Sequence, residues 1–190
     1  MQGTGFNDGR VTFSTVFKKV FPIFLLIFLI LVDQITKTYL KYAKEQTAWS
    51  GSTWVIKGFF SFTYTTNSGA AWSFLSDKVW GQIFFKCLTA VALVLFYVYY
   101  LYVSKRGYRF LKVAVILVIS GTIGNFIDRL AYNYVVDFLS FIFGSYSFPI
   151  FNLADSFMCV GVIMVIIHYL FLDNNALFKS RKNGRKVVSD

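Results

Sequence analysis

Four long apolar runs decide what this chain can fold into: Phe21–Val32 with its continuation to Leu40, Val79–Val103, Leu111–Ile127 and Ile150–Leu172. Each can supply the roughly 20 helical residues that cross about 30 Å of hydrocarbon. Backbone polar groups find no water there, so each run must satisfy its own hydrogen bonds as a helix. Composition agrees, because 56% apolar residues, 21% aromatic residues and a mean hydropathy of +0.58 exceed what a soluble core of 190 residues needs. The sequence predicts an all-α membrane protein with four transmembrane helices. A small extracytoplasmic β-hairpin or sheet and a loop region join the first two.

The net charge of +10 raises the question of nucleic acid, and the placement of the basic residues answers it. Arg10, Lys18 and Lys19 precede the first span, Lys105, Arg106, Arg109 and Lys112 flank the turn between the second and third, and Lys179, Arg181, Lys182, Arg185 and Lys186 follow the fourth. These 12 of 19 basic residues mark the cytoplasmic side by the positive-inside rule. The charge is topology, with attraction to anionic lipid head groups as a secondary effect, and no nucleic-acid partner is expected. A single integral domain follows: cytoplasmic tail 1–19, spans 20–41, 79–103, 111–127 and 150–172, outer loops 42–78 and 128–149, an inner turn 104–110 and a basic cytoplasmic tail 173–190. Asp33-Gln-Ile-Thr-Lys37 stands where a secretory signal would have small residues for cleavage, so the first span reads as retained. Cys87 and Cys159 fall inside spans and suggest no disulfide framework.

All four tryptophans, Trp49, Trp54, Trp72 and Trp80, lie in or beside the first outer loop, at the head-group level tryptophan prefers. Thr53–Lys57 and Phe59–Thr65, β-branched and aromatic with Gly58 between them, read as a hairpin on the outer leaflet. Thr66-Asn67-Ser-Gly69-Ala-Ala-Trp72 suits a tight turn. Lys86 reads as snorkelling to the outer interface.

Charges inside the spans ask for a reason. Asp33 and Lys37 share a helix face at i, i+4 and are either a helix-end ion pair or part of a site. Gly121, Gly124, Asn125 and Asp128 form a small, polar stripe on the third span, and Asn152, Asp155, Ser156 and Cys159 repeat one on the fourth. Asp128 precedes Arg129, a natural charge partner, and reads as a structural clamp. Asp137, among Val135, Val136 and Phe138, and Asp155 are left without an obvious cation. Two carboxylates in a partly dry site share one proton, the arrangement of an aspartic protease. The competing reading is that Asp155 simply caps the fourth helix, as an anion at its N-terminus. The only histidine, His168, lies near the cytoplasmic end of its span, so neither a multi-histidine metal site nor a Ser–His pair can form at the outer surface. No metal or cofactor is expected. A small transporter or proton relay built on span-end aspartates is the alternative.

The motifs Asp33-Gln-Ile-Thr-Lys37, Asn67-Ser-Gly69-Ala-Ala, Gly121-x-x-Gly-Asn125-x-x-Asp128-Arg129, Val135-Val-Asp137-Phe and Phe151-Asn152-x-Ala154-Asp155, in that order, resemble those of the lipoprotein signal peptidase (signal peptidase II) family, from first span to fourth. The resemblance implies a bacterial inner-membrane aspartic endopeptidase with Asp137 and Asp155 as its catalytic dyad. Asp33, Lys37, Asn67, Gly69, Gly121, Asn125, Asp128, Arg129, Val135, Asn152 and Ala154 would shape or support the site. It further implies a diacylglyceryl-modified prolipoprotein substrate, cut on the amino side of the lipidated cysteine. The expected enzyme is a monomer among membrane lipids, with both termini cytoplasmic and its site at the outer leaflet.

Overall fold

The computed structural model describes residues 13–69 and 79–173. The polar tail to residue 12, Trp72 and the basic tail beyond Asp173 lie outside the described residues. Helix α1 runs from Phe13 to Gln46, strand β1 covers Ser52–Ile56 and strand β2 Phe60–Asn67. Helix α2 spans Val79–Arg106, α3 Arg109–Tyr132, strand β3 Val135–Phe143 and β4 Tyr146–Ser147. Helix α4 covers Leu153–Ile167 and ends in a π-helical turn, His168–Leu172. Four stretches, Val20–Gln46, Trp80–Arg106, Arg109–Tyr132 and Leu153–Leu172, are long and apolar enough to cross a membrane.

Helix α3 is the post around which the others pack, and it is far more buried than they are. It earns that place through small residues. A Cβ on Gly121 would collide with the carbonyl oxygen of Ala154, and one on Gly161 would lie 2.6 Å from the carbonyl oxygen of Ala114. Backbones of α3 and α4 therefore touch. The outer surfaces are inverted relative to a soluble protein: Ile23, Phe24, Ile27, Leu31 and Ile35 of α1 are exposed, while Asp33 and Lys37 of the same helix are buried. Hydrocarbon can solvate the first set but not the second.

The sheet is antiparallel with strand order β1-β2-β3-β4. Gly58, at φ +77°, turns the predicted hairpin between β1 and β2. Strands β3 and β4 come from the 128–149 segment that the sequence reads as loop. The run Val-Val-Asp-Phe-Leu-Ser-Phe lacks a clean apolar/polar alternation because the first four residues of β3 are all buried, and alternation is the signal for a half-buried strand. A register shift between Phe62 and Thr65 of β2 falls opposite the segment from Asp137 to Leu139, where a bulge can re-aim a side chain. Leu139 also bridges Phe151, with Leu139 N–H donating to Phe151 O at 2.7 Å and Phe151 N–H to Leu139 O at 3.2 Å. That bridge delivers the chain to the start of α4 directly beside Asp137.

Helices α1 and α3 run further at their C-terminal ends than predicted, to Gln46 and Tyr132. Asp33 and Lys37 do not stop α1, nor Asp128 and Arg129 α3, because Asp33, Lys37 and Asp128 satisfy one another inside the bundle. Asn133, at φ 63°, closes α3 with its N–H on Arg129 O at 3.2 Å. Lys86 does not snorkel freely: its Nζ donates to Asn133 Oδ1 at 2.8 Å, tying α2 to that cap. Both cysteines are exposed, so Cys159 does not share the site-facing side of α4 with Asn152 and Asp155.

Candidate active site

Asp137 and Asp155 line one cleft of about 280 Å³, together with Asn67, Asn125, Arg129, Val135 and the Phe148-Pro149-Ile150-Phe151 segment. Strand β3 supplies Asp137 and the first turn of α4 supplies Asp155. Asn152, fully buried at the cap of α4, joins them: its Nδ2 donates to Asp137 Oδ1 at 2.7 Å and to Val136 O at 3.2 Å, while its Oδ1 accepts the Asp155 N–H at 2.9 Å. Asp155 Oδ2 accepts the Asn152 N–H at 3.2 Å, completing a capping box. The helix-cap reading of Asp155 is thus correct without competing with its place in the cleft, since Asp155 Oδ1 also accepts Asn125 Nδ2 at 2.7 Å.

Under the cleft lies a buried ionic cluster. Lys37 Nζ sits 2.9 Å from Asp33 Oδ2, 3.0 Å from Asp128 Oδ2 and 2.9 Å from Asn125 Oδ1, one acceptor for each of its three protons. Asp33 Oδ1 accepts the Ala154 N–H at 2.9 Å at the start of α4, and Asp128 Oδ2 accepts the Val136 N–H at 3.1 Å beside Asp137. These carboxylates hold backbone on either side of the cleft. Breaking a cluster of this kind costs far more than a surface pair, because an unpaired charge would remain buried. The helix-end alternative for Asp33 and Lys37 does not survive, their exposures being 0% and 2%.

The partner of Asp128 is Lys37 and not its sequence neighbour. Adjacent helical residues point about 100° apart, and Arg129 turns to the cleft, where it donates to Gly69 O at 3.4 Å and Asn125 O at 3.5 Å. Asn67 Oδ1 accepts the Gly69 N–H at 3.0 Å, an Asx turn, and its Nδ2 reaches Asp137 Oδ2 at 3.3 Å. The turn at Asn67 is therefore joined to the cleft and is more than a connection. Burial, and after it the charge of Asp155, pushes the Asp137 carboxyl up to about 7.

The family model for signal peptidase (SPase) II matches residues 25–171, a stretch that contains every residue of this cluster. The chain belongs to the signal peptidase II family. It is 41% identical over 146 residues to the lipoprotein signal peptidase of Clostridium tetani, covering 76% of this chain and 89% of that one. It is 48% identical over 116 residues to that of Bacillus pumilus, covering 61% and 72%. Its fold matches a bacterial membrane enzyme solved in meso at 2.3 Å resolution, with a TM-score of 0.68 and 34% identity over 86% of this chain and 94% of that one. A signal peptidase II is a protease and a multi-pass membrane protein, and the transporter alternative is not favoured.

Within this signal peptidase II, the site residues that the resemblance implies surround the cleft or the cluster beneath it, except Gly121, whose place is the α3–α4 contact. Gln34, inside the motif Asp33-Gln-Ile-Thr-Lys37, joins the cluster although the sequence gives it no role. Its Nε2 lies 3.0 Å from Gly124 O, 3.0 Å from Asp128 Oδ1 and 3.2 Å from Asp33 Oδ2, and an amide inside an apolar run was the available signal. Phe148 and Ile150, likewise given no role by the sequence, carry no polar signal at all. His168 is buried beside Asp173, 3.8 Å away, at the far end of α4, and takes no part.

The cluster makes Asp33 testable. Asp33→Ala leaves the Ala154 N–H unpaired and loosens the start of α4, so the cleavage rate is expected to fall about tenfold to a hundredfold. Asp33→Asn should recover part of it by restoring an acceptor. A wild-type rate for Asp33→Ala at matched expression would show that the contact to Ala154 does not position the site.

Proposed function

We infer that this protein removes signal peptides from prolipoproteins as an aspartic endopeptidase, with Asp137 and Asp155 as its dyad. The observation that carries the reading is the pair of carboxylates facing one cleft with Asn152 bonded to both. One carboxylate deprotonates a water that attacks the scissile carbonyl carbon, while the protonated partner hydrogen-bonds the carbonyl oxygen. The substrate is a prolipoprotein whose cysteine carries diacylglycerol, cut on the amino side of that cysteine. Its acyl chains remain in the outer leaflet, beside the exposed Trp54, Val55 and Ile56 of the hairpin, and the peptide enters between Asn67 and Phe148. The enzyme works as a monomer in the bacterial inner membrane with both termini cytoplasmic. Positive charge at the inner ends of the spans supports that orientation.

Reporter tags test it. Tags at the N-terminus, after Gly107 and at the C-terminus are expected inside, and a tag at Gly51 outside; a cytoplasmic Gly51 tag would put the cleft on the wrong face for a translocated, lipidated substrate. Substrate specificity is tested by matched prolipoproteins with and without the diacylglyceryl group. Cleavage confined to the lipidated form is expected, and equal cleavage of both would remove the lipid from the recognition step.

The raised carboxyl of Asp137 has a signed consequence. Its folded value, about 7, lies above the ordinary 3.8, so the folded protein binds this proton more tightly than the unfolded chain. The stability it contributes is fully present below pH 3.8 and is lost as pH rises through about 7. Asp137→Asn has no such proton, and its Tm is expected to gain on that of the wild type as pH rises through this window. A Tm difference independent of pH would contradict the assignment.

A further inference from the structure

We propose that Lys37 is a positioning residue for the dyad: by fixing which end of the Asn125 amide faces Asp155, it makes Asp155 the general base and leaves Asp137 as the acid. The inference rests on the dyad reading above and deepens it. An asparagine side chain can present either its oxygen or its NH2 to a neighbour, and only its surroundings decide which. Lys37 has no acceptor, so the end of Asn125 lying 2.9 Å from its Nζ must be the oxygen. Asn152 Nδ2, 3.0 Å from the same oxygen, demands the same choice. The NH2 is thereby turned to Asp155 Oδ1 at 2.7 Å, a donor to a carboxylate.

Asn152 is fixed by the same logic, because its Oδ1 must accept the Asp155 N–H. Asp155 thus has an oriented donor on each oxygen, Asn125 Nδ2 on one and the Asn152 N–H on the other. It also occupies the first turn of α4, where the aligned backbone dipoles favour negative charge. Asp137 too accepts from two amides, Asn67 and Asn152. It differs in sitting on a strand, which has almost no dipole, and in being only 3% exposed against the half-buried Asp155. Desolvation therefore falls more heavily on Asp137, and its raised carboxyl agrees. The other charges around the pair, among the described residues, are Arg129 and Asp128 of α3 and Asp33 and Lys37 of α1. Arg129 lines the cleft beside both aspartates and interacts more strongly with the charge of Asp155 than with that of Asp137.

The proton inventory closes. Asp155 takes a proton from water as the water oxygen bonds to the carbonyl carbon, and Asp137 gives its proton to the carbonyl oxygen. On collapse the C–N bond breaks, Asp155 passes its proton to the leaving nitrogen and Asp137 recovers one from the diol. Both residues end as they began.

Infrared difference spectra of the purified protein test the assignment without relying on turnover. At pH well below about 7, wild type minus Asp137→Asn should show the carboxylic-acid C=O stretch, because the variant lacks it, and wild type minus Asp155→Asn should not, because that variant keeps it. The reverse pattern, or no such band assignable to either residue, would overturn the assignment while leaving the dyad itself to be judged by cleavage in the same two variants. The role of Lys37 is read from pH profiles of kcat/KM between about pH 5 and about pH 8. Lys37→Met removes the charged one of the two donors that hold the Asn125 oxygen and leaves Asn152 alone to hold it, and Asn125→Asp keeps a partner for Lys37 while removing the donor to Asp155. In each, the acid limb should move up by about one pH unit, a tenfold loss on the acidic side that recovers as pH rises. If Lys37→Met fails to fold, Asn125→Asp carries the test. A loss that is uniform across pH would reduce Lys37 to a structural cation and overturn the proposal.

Discussion

Asp137→Asn and Asp155→Asn are each expected to lower cleavage of a diacylated prolipoprotein by several orders of magnitude while the protein still folds and inserts. The amide keeps the shape of the carboxyl and its acceptor oxygen, so Asn152 retains a partner at position 137 and the cap of α4 keeps one at position 155. What disappears is a group that can take or give a proton at the reacting centre, and both are needed in one cycle. Because the two act as a unit, the double variant should be barely worse than either single one. Losses that multiplied, or a single variant with near-normal cleavage, would break the dyad.

The second large effect concerns folding and lies away from the cleft. Gly121→Val is expected to yield no stably folded protein. Its Cβ would collide with the Ala154 carbonyl oxygen and would lie only 2.7 Å from Met158 Cγ. A side chain can swing aside, but a helix backbone in contact along its length cannot. Even Gly121→Ala should therefore cost more than the roughly 1–3 kcal/mol usual for overpacking. Ala131→Val, on an exposed position of the same helix, should be close to neutral and serves as the control. Recovery of Gly121→Val at wild-type yield and Tm would mean that α3 and α4 do not meet as described.

What was legible in the sequence follows from what each pattern encodes. Helices in hydrocarbon announce themselves by length and apolarity alone, so all four were visible, and the hairpin showed itself by its β-branched and aromatic residues around Gly58. Strand β3 did not, because a strand buried on both sides loses the alternation by which strands are recognised. Asp137 and Asp155 stand out in the sequence as two aspartates lacking a neighbouring cation, and the fold brings both to one cleft. The cation for Asp128 was not, since Lys37 lies 91 positions away in sequence while Arg129 is adjacent and points elsewhere. Adjacency in sequence is a poor guide to adjacency in a helix bundle. The amide network of Asn67, Asn125 and Asn152 was visible as residues in motifs but not as a device, because the direction of each amide is decided only by the partners that the fold brings to it.

One measurement bears on the whole account. Purified protein is incubated with a diacylated prolipoprotein in water enriched in oxygen-18, and both products are weighed by mass spectrometry. The account predicts a lipoprotein that begins at the diacylglyceryl cysteine and a signal peptide whose new carboxylate carries one heavy oxygen, with neither product formed by the Asp137→Asn, Asp155→Asn double variant. An intact substrate after incubation with the wild type, or the same two products from the double variant, would contradict it.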